Sequence, residues 1–154
     1  MIAPTAAGFS DLNEFELGQT ASSSHTITAE IVDAFATFSG DSNSLHMKDD
    51  FARQAGFAGR VGHGAILVAY LSNLLGTRLP GQGCYWLQQQ IFWRMPVHLG
   101  NTIQISVKVK HKSLGTKTLI LAVEARNQDG VVVMDGQAVV AMPAKSPKGG
   151  SDHG

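Results

Sequence analysis

"AILVAYLSNLLGTRL", residues 65–79, decides the fold of this chain. Apolar side chains occupy nearly every side of a helix with this sequence, so it is predicted to be a buried helix. It is too short and too interrupted to span a bilayer. The glycine-punctuated loop "FAGRVGHG", residues 57–64, precedes it, and "LPGQG", residues 79–83, ends it.

The chain after this helix reads as a run of strands. One of them, "ISVKVKH", residues 105–111, alternates apolar and polar residues, as a half-exposed antiparallel strand does. Short glycine- and asparagine-containing turns separate the segments, which predicts a four-strand antiparallel meander. The predicted strands are "CYWLQQQIFWRM" at 84–95, "TIQISVKVKHK" at 102–112, "TKTLILAVEARNQ" at 116–128 and "VVVMDGQAVVAM" at 131–142.

Shorter elements precede the central helix. "GQTASSSHTI", residues 18–27, is predicted to be extended. Thr28 is predicted to cap the start of a helix, because threonine is a favoured N-cap residue. The helix is predicted to end at Gly40, because glycine readily adopts the left-handed conformation that ends helices. Its predicted apolar stripe has helical spacing and consists of Ile31, Ala34, Phe35 and Phe38. "KDDFARQAG", residues 48–56, is predicted to be a second, short helix.

These elements predict an α+β domain in which an antiparallel sheet wraps around one long central apolar helix. We expect residues 1–13 to form a flexible N-terminus, residues 14–143 to form the domain and residues 144–154 to be a disordered tail. A curled sheet of this kind has an open edge strand, and the matching edge of a second copy would cover it. We therefore expect a homodimer or a higher homo-oligomer.

The composition narrows the classes of partner. In 154 residues, 44% are hydrophobic and only 16% are charged, and 12 Lys and Arg balance 12 Asp and Glu. This balance provides no general attraction for nucleic acid or an anionic membrane, so neither is expected as a partner. The single cysteine, Cys84, excludes an intramolecular disulfide. The N-terminus lacks the pattern of a signal peptide, and we expect a cytoplasmic protein.

"GDSNSLHMKDDFA", residues 40–52, sets Asp41, Asn43 and His46 close together. Asp and Asn after a glycine are ordinary turn residues, and taken alone they would indicate only a turn. A carboxylate near an imidazole, however, can also move a proton. His63 and Gly64 open the apolar helix, whose N-terminus carries unpaired N–H groups and the positive end of a dipole. Such a terminus suits a carbonyl oxygen that becomes negative during a reaction.

Together, "FSGDSNSLHMKDDFA" and "GFAGRVGHGAILVAYLSNLLG" resemble the MaoC-like, (R)-specific enoyl-CoA hydratases of the hotdog fold. The family motif runs Asp-x-Asn-Pro-x-His, then Phe-Ala, then His-Gly at the start of the central helix. The resemblance extends from about Leu17 to Pro143 and includes the Phe and Pro-Val positions of "LPGQGCYWLQQQIFWRMPVHLGNTI". It implies that residues 14–143 form a single hotdog domain.

The resemblance also assigns expected roles. Asp41 and His46 match the catalytic pair, and the backbone N–H of Gly64 matches the oxyanion hole. Three further residues are expected to support the site: Asn43, Ser72 and His63. Ser44 departs from the family pattern, because proline usually occupies that position.

The implied reaction adds water to a trans-2-enoyl-CoA to give an (R)-3-hydroxyacyl-CoA, or runs in reverse. Asp41 is expected to act as the base and His46 to orient the water and relay the proton. The substrate partner is an acyl-CoA thioester, and no cofactor is expected, because coenzyme A is part of the substrate. The resemblance connects this activity with fatty acid metabolism and polyhydroxyalkanoate precursors.

Two other functions stay open on sequence grounds. Many hotdog acyl-CoA thioesterases place a carboxylate on the central helix, but residues 65–79 contain no Asp or Glu. A non-catalytic acyl-CoA-binding module would need the fold but not the Asp41 and His46 pair, and the pair is present.

Other candidate sites are weaker. A metal site of Asp41, His46 and His63 lacks any familiar ligand spacing, so no metal is expected. Cys84 is interpreted as a small strand residue. Trp86, Phe92 and Trp93 are interpreted as sheet packing, not as a platform for a nucleotide.

Overall fold

The computed structural model describes residues 11–143, which form one five-stranded antiparallel sheet and a set of helices on one side of it. A 3-10 helix, Leu12–Glu14, begins the described part of the chain. The strands are β1 Thr20–Thr26, β2 Tyr85–Trp93, β3 Thr102–Ser113, β4 Thr118–Arg126 and β5 Val132–Ala141. The helices are α1 Ala29–Ser39, α2 Ser44–Met47, α3 Asp49–Gln54 and α4 Gly64–Thr77.

The predicted terminal segments fall mostly outside the described residues. Of the predicted flexible N-terminus, residues 1–10 lie outside, and Leu12 is buried in the 3-10 helix. The predicted tail, residues 144–154, lies outside entirely.

The core forms where α4 packs on the concave face of the sheet. Alternate residues of β3, Ile103 to Val109, are buried at 0–1% exposure, so the predicted half-exposed strand is confirmed. β4 buries its alternate residues in the same way. From α4, the side chains that enter this core are Ile66, Leu67, Leu71, Leu74 and Leu75.

The prediction of a four-strand meander was wrong. The strand order is β1-β3-β4-β5-β2, so only β3, β4 and β5 form a meander, and β2 pairs with β5 at the far edge. The segment after β2 does not turn back into β3. It crosses to the N-terminal end of α4, where Val97 O accepts a hydrogen bond of 2.6 Å from Gly62 N and His98 bridges to Val61. This crossing segment fixes the loop that leads into α4.

The prediction that α4 is buried all round was also wrong for the single chain. One face is exposed and carries small or polar residues: Ala65, Ala69, Ser72, Asn73 and Thr77. The sheet curls around only the opposite side of the helix. The most apolar helix of the chain therefore leaves a face without a partner in one copy.

Helix α1 begins and ends as predicted, but its buried face differs. Thr28 Oγ1 accepts a hydrogen bond from Ile31 N, and Gly40 ends the helix with φ 79°. The buried residues are Val32 and Ala36, whereas Phe38 is 88% exposed. Of the predicted stripe, Ile31 and Phe35 are partly buried against the core, beside Val32 and Ala36, whereas Ala34 and Phe38 are exposed.

Two aromatic residues of β2 also differ from expectation. Phe92 and Trp93 are 44% and 52% exposed, so they are not packed under the sheet as predicted. Trp86 is partly buried against the core. Both exposed rings lie on β2, one of the two edge strands of the sheet.

Candidate active site

Asp41 is held in position by local hydrogen bonds between side chains and backbone in the segment that follows α1. Asp41 N donates to Ser39 Oγ at 3.1 Å, and Asp41 Oδ1 in turn accepts from Asn43 N at 3.2 Å. Asn43 Oδ1 accepts from Leu45 N at 3.0 Å and caps the one-turn helix α2, which the sequence analysis did not predict. Short polar side chains at such positions bond readily to nearby backbone. Asn43 therefore holds the segment on both sides, through its N–H to Asp41 and through its side chain to the first turn of α2.

His46 is held by the loop that precedes α4. Its Nδ1 lies 2.7 Å from Val61 O, and because a carbonyl oxygen only accepts, Nδ1 carries the proton. In the neutral ring, Nε2 then has a free lone pair. This Nε2 lies 3.9 Å from Asp41 Oδ2, and the His46 side chain is 16% exposed.

His63 is buried and has the opposite tautomer. Its Nε2 donates to Asp41 O at 2.9 Å, so it fixes the backbone of Asp41. The whole residue is only 4% exposed, and its ring packs on Phe35 with the ring centroids 4.8 Å apart. Its Nδ1 has no hydrogen-bond partner among the described residues. His63 thus supports Asp41 through the main chain.

Asp41 Oδ2 lies 3.9 Å from the Nε2 of each histidine, too far for a direct hydrogen bond. The Asp41 side chain is 51% exposed, so water reaches it, whereas the His63 side chain is 2% exposed. A carboxylate and one imidazole lone pair therefore face the same small, solvent-accessible space.

These residues also form a cluster of potential metal ligands. Asp41, His46 and His63 each offer one ligand atom within 4.8 Å of the others. His63 Nε2, however, carries the proton that it donates to Asp41 O. The free lone pairs are then those of the Asp41 carboxylate, of His46 Nε2 and of the buried His63 Nδ1, which has no partner among the described residues. His63 would bind a metal through Nε2 only by giving up its hydrogen bond to Asp41 O.

Gly64 is the first residue of α4, so its N–H has no acceptor within the helix. It lines an open cleft of about 350 Å³ together with Val61, Leu67, Trp93 and Met95, among others. The Trp93 ring covers Gly64 so closely that a Cβ placed there would lie 3.1 Å from it. The cleft therefore combines an apolar wall with the positive end of α4, where the Gly64 N–H has no acceptor within its helix.

The structure brings Asp41, His46 and His63 together, but Ser72 is not part of this cluster. Ser72 lies on the exposed face of α4, about 12 Å along the helix axis from Gly64 at 1.5 Å per residue. Three contributions were missed by sequence reasoning: the Val61 carbonyl, the Trp93 ring and the side chain of Arg60. A backbone carbonyl leaves no signal in a sequence, and Arg60 stood out only as a charged residue in a glycine-rich loop.

Comparison with known proteins places this arrangement in a family. The MaoC like domain matches residues 13–129. An (R)-specific enoyl-CoA hydratase of Rhodospirillum rubrum is 34% identical, covering 89% of this chain and 92% of that protein. A 3-hydroxybutyryl-CoA dehydratase of Methylorubrum extorquens is also 34% identical, covering 86% of this chain and 83% of that protein.

A solved structure agrees with the fold. The (R)-hydratase from A. caviae involved in PHA biosynthesis superposes with a TM-score of 0.81 at 34% identity, covering 84% of this chain and 98% of that one. The α+β hotdog architecture expected from the sequence is confirmed by this similarity. With the family match extending over most of its length, the chain belongs to the MaoC-like domain family.

Proposed function

We propose that this protein is an (R)-specific enoyl-CoA hydratase, which adds water to a trans-2-enoyl-CoA and also catalyses the reverse dehydration. The observation that carries the proposal is the 3.9 Å separation between Asp41 Oδ2 and His46 Nε2, with the protonated nitrogen of His46 turned away toward Val61 O. Both facing atoms are hydrogen-bond acceptors. The names of the relatives at 34% identity support the same reaction.

Two acceptors can orient one water molecule. A water beside the pair would donate one hydrogen to Asp41 and the other to His46, leaving an oxygen lone pair aimed at the substrate. As that oxygen bonds to the β carbon of the enoyl thioester, the electron pair of the double bond moves onto the thioester carbonyl. Asp41 accepts the proton from the water, and the same proton is then delivered to the α carbon with the help of His46.

The developing enolate needs a partner for its oxygen. The Gly64 N–H, at the N-terminus of α4, is our candidate for this oxyanion hole, with the helix dipole adding to the attraction. The Trp93 ring next to Gly64 would exclude water from the carbonyl and strengthen the hydrogen bond. Hydration moves no electrons to an external acceptor, so the reaction calls for no redox cofactor.

The test is a hydration assay with trans-2-enoyl-CoA substrates of increasing length, followed by chiral analysis of the product. We expect loss of the conjugated thioester absorbance and formation of the (R)-3-hydroxyacyl-CoA. Free thiol release is measured in the same reactions. If thiol release outpaces hydration, the protein is a thioesterase, and if the substrate only binds, it is an acyl-CoA-binding module.

We also propose that two copies associate along β2, so that each cleft lies beside the interface. Among the described residues, β2 pairs only with β5, and its side chains Tyr85, Leu87 and Trp93 are 53%, 58% and 52% exposed. An open edge with exposed apolar residues is a surface that a second copy can pair with. The small-residue face of α4 would be covered in the same way.

The oligomer is tested by light scattering on the purified protein. We expect a dimer or a larger species that Leu87→Lys weakens at least tenfold. Leu114→Lys is the matched control, because Leu114 is equally exposed, at 58%, but lies in the turn between β3 and β4. A stable monomer at micromolar concentration would contradict this proposal.

The expected cytoplasmic location and the expected absence of a metal and of nucleic-acid partners stay predictions. Within residues 11–143, the helices are all too short or too polar to cross a membrane.

A further inference from the structure

Helix α2, which carries His46, has little of its own to hold it in place. It is one turn long and has no buried residue. A single turn is unstable in isolation because nucleation fixes several backbone angles for one hydrogen bond. The position of His46 must therefore be set by contacts from outside the helix.

Those contacts come from two adjacent residues, Arg60 and Val61. Val61 N donates to Leu45 O at 3.0 Å, and Val61 O accepts from His46 Nδ1 at 2.7 Å. Arg60 adds a third bond, from its Nε to His46 O at 2.5 Å. The ring of His46 and its main-chain carbonyl are thus held by neighbouring residues of one segment.

The guanidinium of Arg60 is itself oriented from a second direction. Its Nη2 forms an ion pair with Asp33 Oδ1 on α1, and the Arg60 side chain is only 14% exposed. The backbone N of Arg60 also donates to Asp49 Oδ1 at 3.0 Å, which ties the segment to α3. A planar guanidinium has donors in a fixed fork, so it can bridge a carboxylate and a carbonyl at once.

We propose that Arg60, oriented by Asp33, is a positioning residue for His46. The inference rests on the proposed function of the Asp41 and His46 pair. Arg60 reaches neither Asp41 nor the cleft through any of its hydrogen bonds among the described residues, so it acts through the His46 carbonyl. Without it, the His46 carbonyl in the last turn of α2 loses a charged partner, and the ring of His46 is held less firmly, through Val61 O and the His63 ring.

The test uses four single variants of the full-length protein. Arg60→Gln removes the charge and the fork, Arg60→Lys keeps the charge with a single point donor, and Asp33→Asn keeps the shape of the Asp33 side chain but removes the charge that orients Arg60. Arg53→Gln is the matched control, because Arg53 pairs with Asp50 on α3 at the surface and has no contact with α2 through that pair. Circular dichroism and thermal unfolding give the folded fraction of each.

Two readouts separate positioning from a general structural role. We expect Arg60→Gln to lower kcat about tenfold to hundredfold, as small misplacements do, with KM changed less than about threefold. We expect the kcat of Arg60→Lys and of Asp33→Asn to lie between that of Arg60→Gln and that of the wild type, and the kcat of Arg53→Gln to match the wild type. The second readout is the NMR signal of the His46 Nδ1–H, whose exchange with water should become at least tenfold faster in Arg60→Gln.

Other results would overturn the inference. A normal kcat with an unchanged His46 signal means that Arg60 does not position the ring. A raised KM with normal kcat means that Arg60 binds substrate, and an activity loss that only follows the folded fraction means that its role is structural. If Arg60→Gln does not fold, the kcat, the KM and the His46 Nδ1–H exchange of Asp33→Asn decide whether Arg60 positions His46. If the wild type hydrates no enoyl-CoA, the proposed function fails, but the NMR comparison still decides whether Arg60 positions His46.

Discussion

The imidazole rings of His46 and His63 lie face to face, with centroids 3.8 Å apart and planes tilted by 31°. Each donates its one N–H to a main-chain carbonyl, His46 through Nδ1 to Val61 and His63 through Nε2 to Asp41. The buried ring of His63 therefore restricts the rotation of the partly buried ring of His46 and also fixes the backbone of Asp41. The geometry between Asp41 and His46 depends on His63 although His63 need not touch the substrate.

The first prediction concerns this pair. Asp41→Asn keeps the shape and the local hydrogen bonds of the segment but removes the charge that accepts a proton. We expect kcat for hydration to fall about 10²- to 10⁴-fold, as for a positioned acid or base, equivalent to about 3–5 kcal/mol. His46→Gln should cost a comparable amount, with little change in KM.

The double variant tests whether the two act as a unit. Because both would hold the same water, Asp41→Asn with His46→Gln should be barely worse than the worse single variant. Steady-state kinetics on the three proteins provide the measurement, with folding checked by circular dichroism. A near-normal kcat in Asp41→Asn would mean that residues 40–46 are only a turn.

Ser44→Pro should be tolerated and should raise the free energy of unfolding by about 0.4–1 kcal/mol. Ser44 is the first residue of α2, a position that proline favours, and the ψ of Asn43 is 131°, which suits a residue before proline. The Ser44 N–H donates no hydrogen bond among the described residues. Thermal unfolding and kcat measure the outcome.

Ser42→Pro is the contrasting variant for the same segment. Ser42 N donates to Gly40 O at 3.0 Å, so proline there removes a bond and should destabilise the protein. If Ser44→Pro instead abolishes activity in a folded protein, the segment needs the flexibility of serine.

Gly64→Ala should lower kcat about tenfold or more, because its Cβ would lie 3.1 Å from the Trp93 ring and displace either the ring or the N-terminus of α4. Adding Trp93→Phe, a smaller ring, should restore part of the activity, which a double-mutant cycle measures. Gly115→Ala, where an added Cβ has no neighbour within 4 Å, should leave kcat unchanged. Equal losses with and without Trp93→Phe would show that contact with Trp93 is not the cause.

His25→Phe should make stability less dependent on pH. Burial, followed by the charge of Arg78, lowers the pKa of His25 below its ordinary value of 6.5. Between the lowered pKa and 6.5, the unfolded chain binds more protons at His25 than the folded chain does. The free energy of unfolding therefore rises with pH through this window, and it is smaller at pH values below the window than above it. Phenylalanine keeps a ring for the stack on Tyr70, whose centroid is 3.7 Å away, and removes the titration.

The measurement for His25 is the midpoint of thermal unfolding from pH 5 to pH 8. The wild type should lose more stability on acidification than His25→Phe does. His111→Gln, at an exposed position on β3, serves as the control and should follow the wild type. Parallel curves for the wild type and His25→Phe would contradict the assignment.

Local patterns predicted the parts of the fold that local physics determines. The alternation along β3 and the caps Thr28 and Gly40 each depend on a few neighbouring residues, and all are confirmed. Strand order does not depend on local pattern: nothing within β2 specifies β5 rather than β3 as its partner. The exposure of Phe38 likewise depends on where α1 docks, which its own apolar spacing does not define.

In the candidate site, too, some features follow from the local sequence and others depend on the tertiary arrangement. The spacing of Asp41 and His46 and the placement of His63 and Gly64 before an apolar helix are visible in the sequence. The structure brings ligand atoms of Asp41, His46 and His63 within 4.8 Å of one another, and Gly64, the residue after His63, lines the cleft together with Val61. The contacts that hold them are mostly to main-chain carbonyls, such as Val61 O. Any residue supplies a carbonyl, so no residue type marks these positions.

Strand β1 pairs with β3 over a long separation along the chain, from Thr20 with Lys108 to Thr26 with Thr102. During synthesis, β1 and every candidate site residue leave the ribosome before the strand that β1 must join exists. The nascent chain therefore carries β1 as an unpaired polar strand for most of its elongation, and it carries the apolar helix α4 before β3, β4 and β5 exist to cover it. Such non-local pairing slows folding, so newly made copies of this protein should depend on chaperones more than a helical bundle of the same length does.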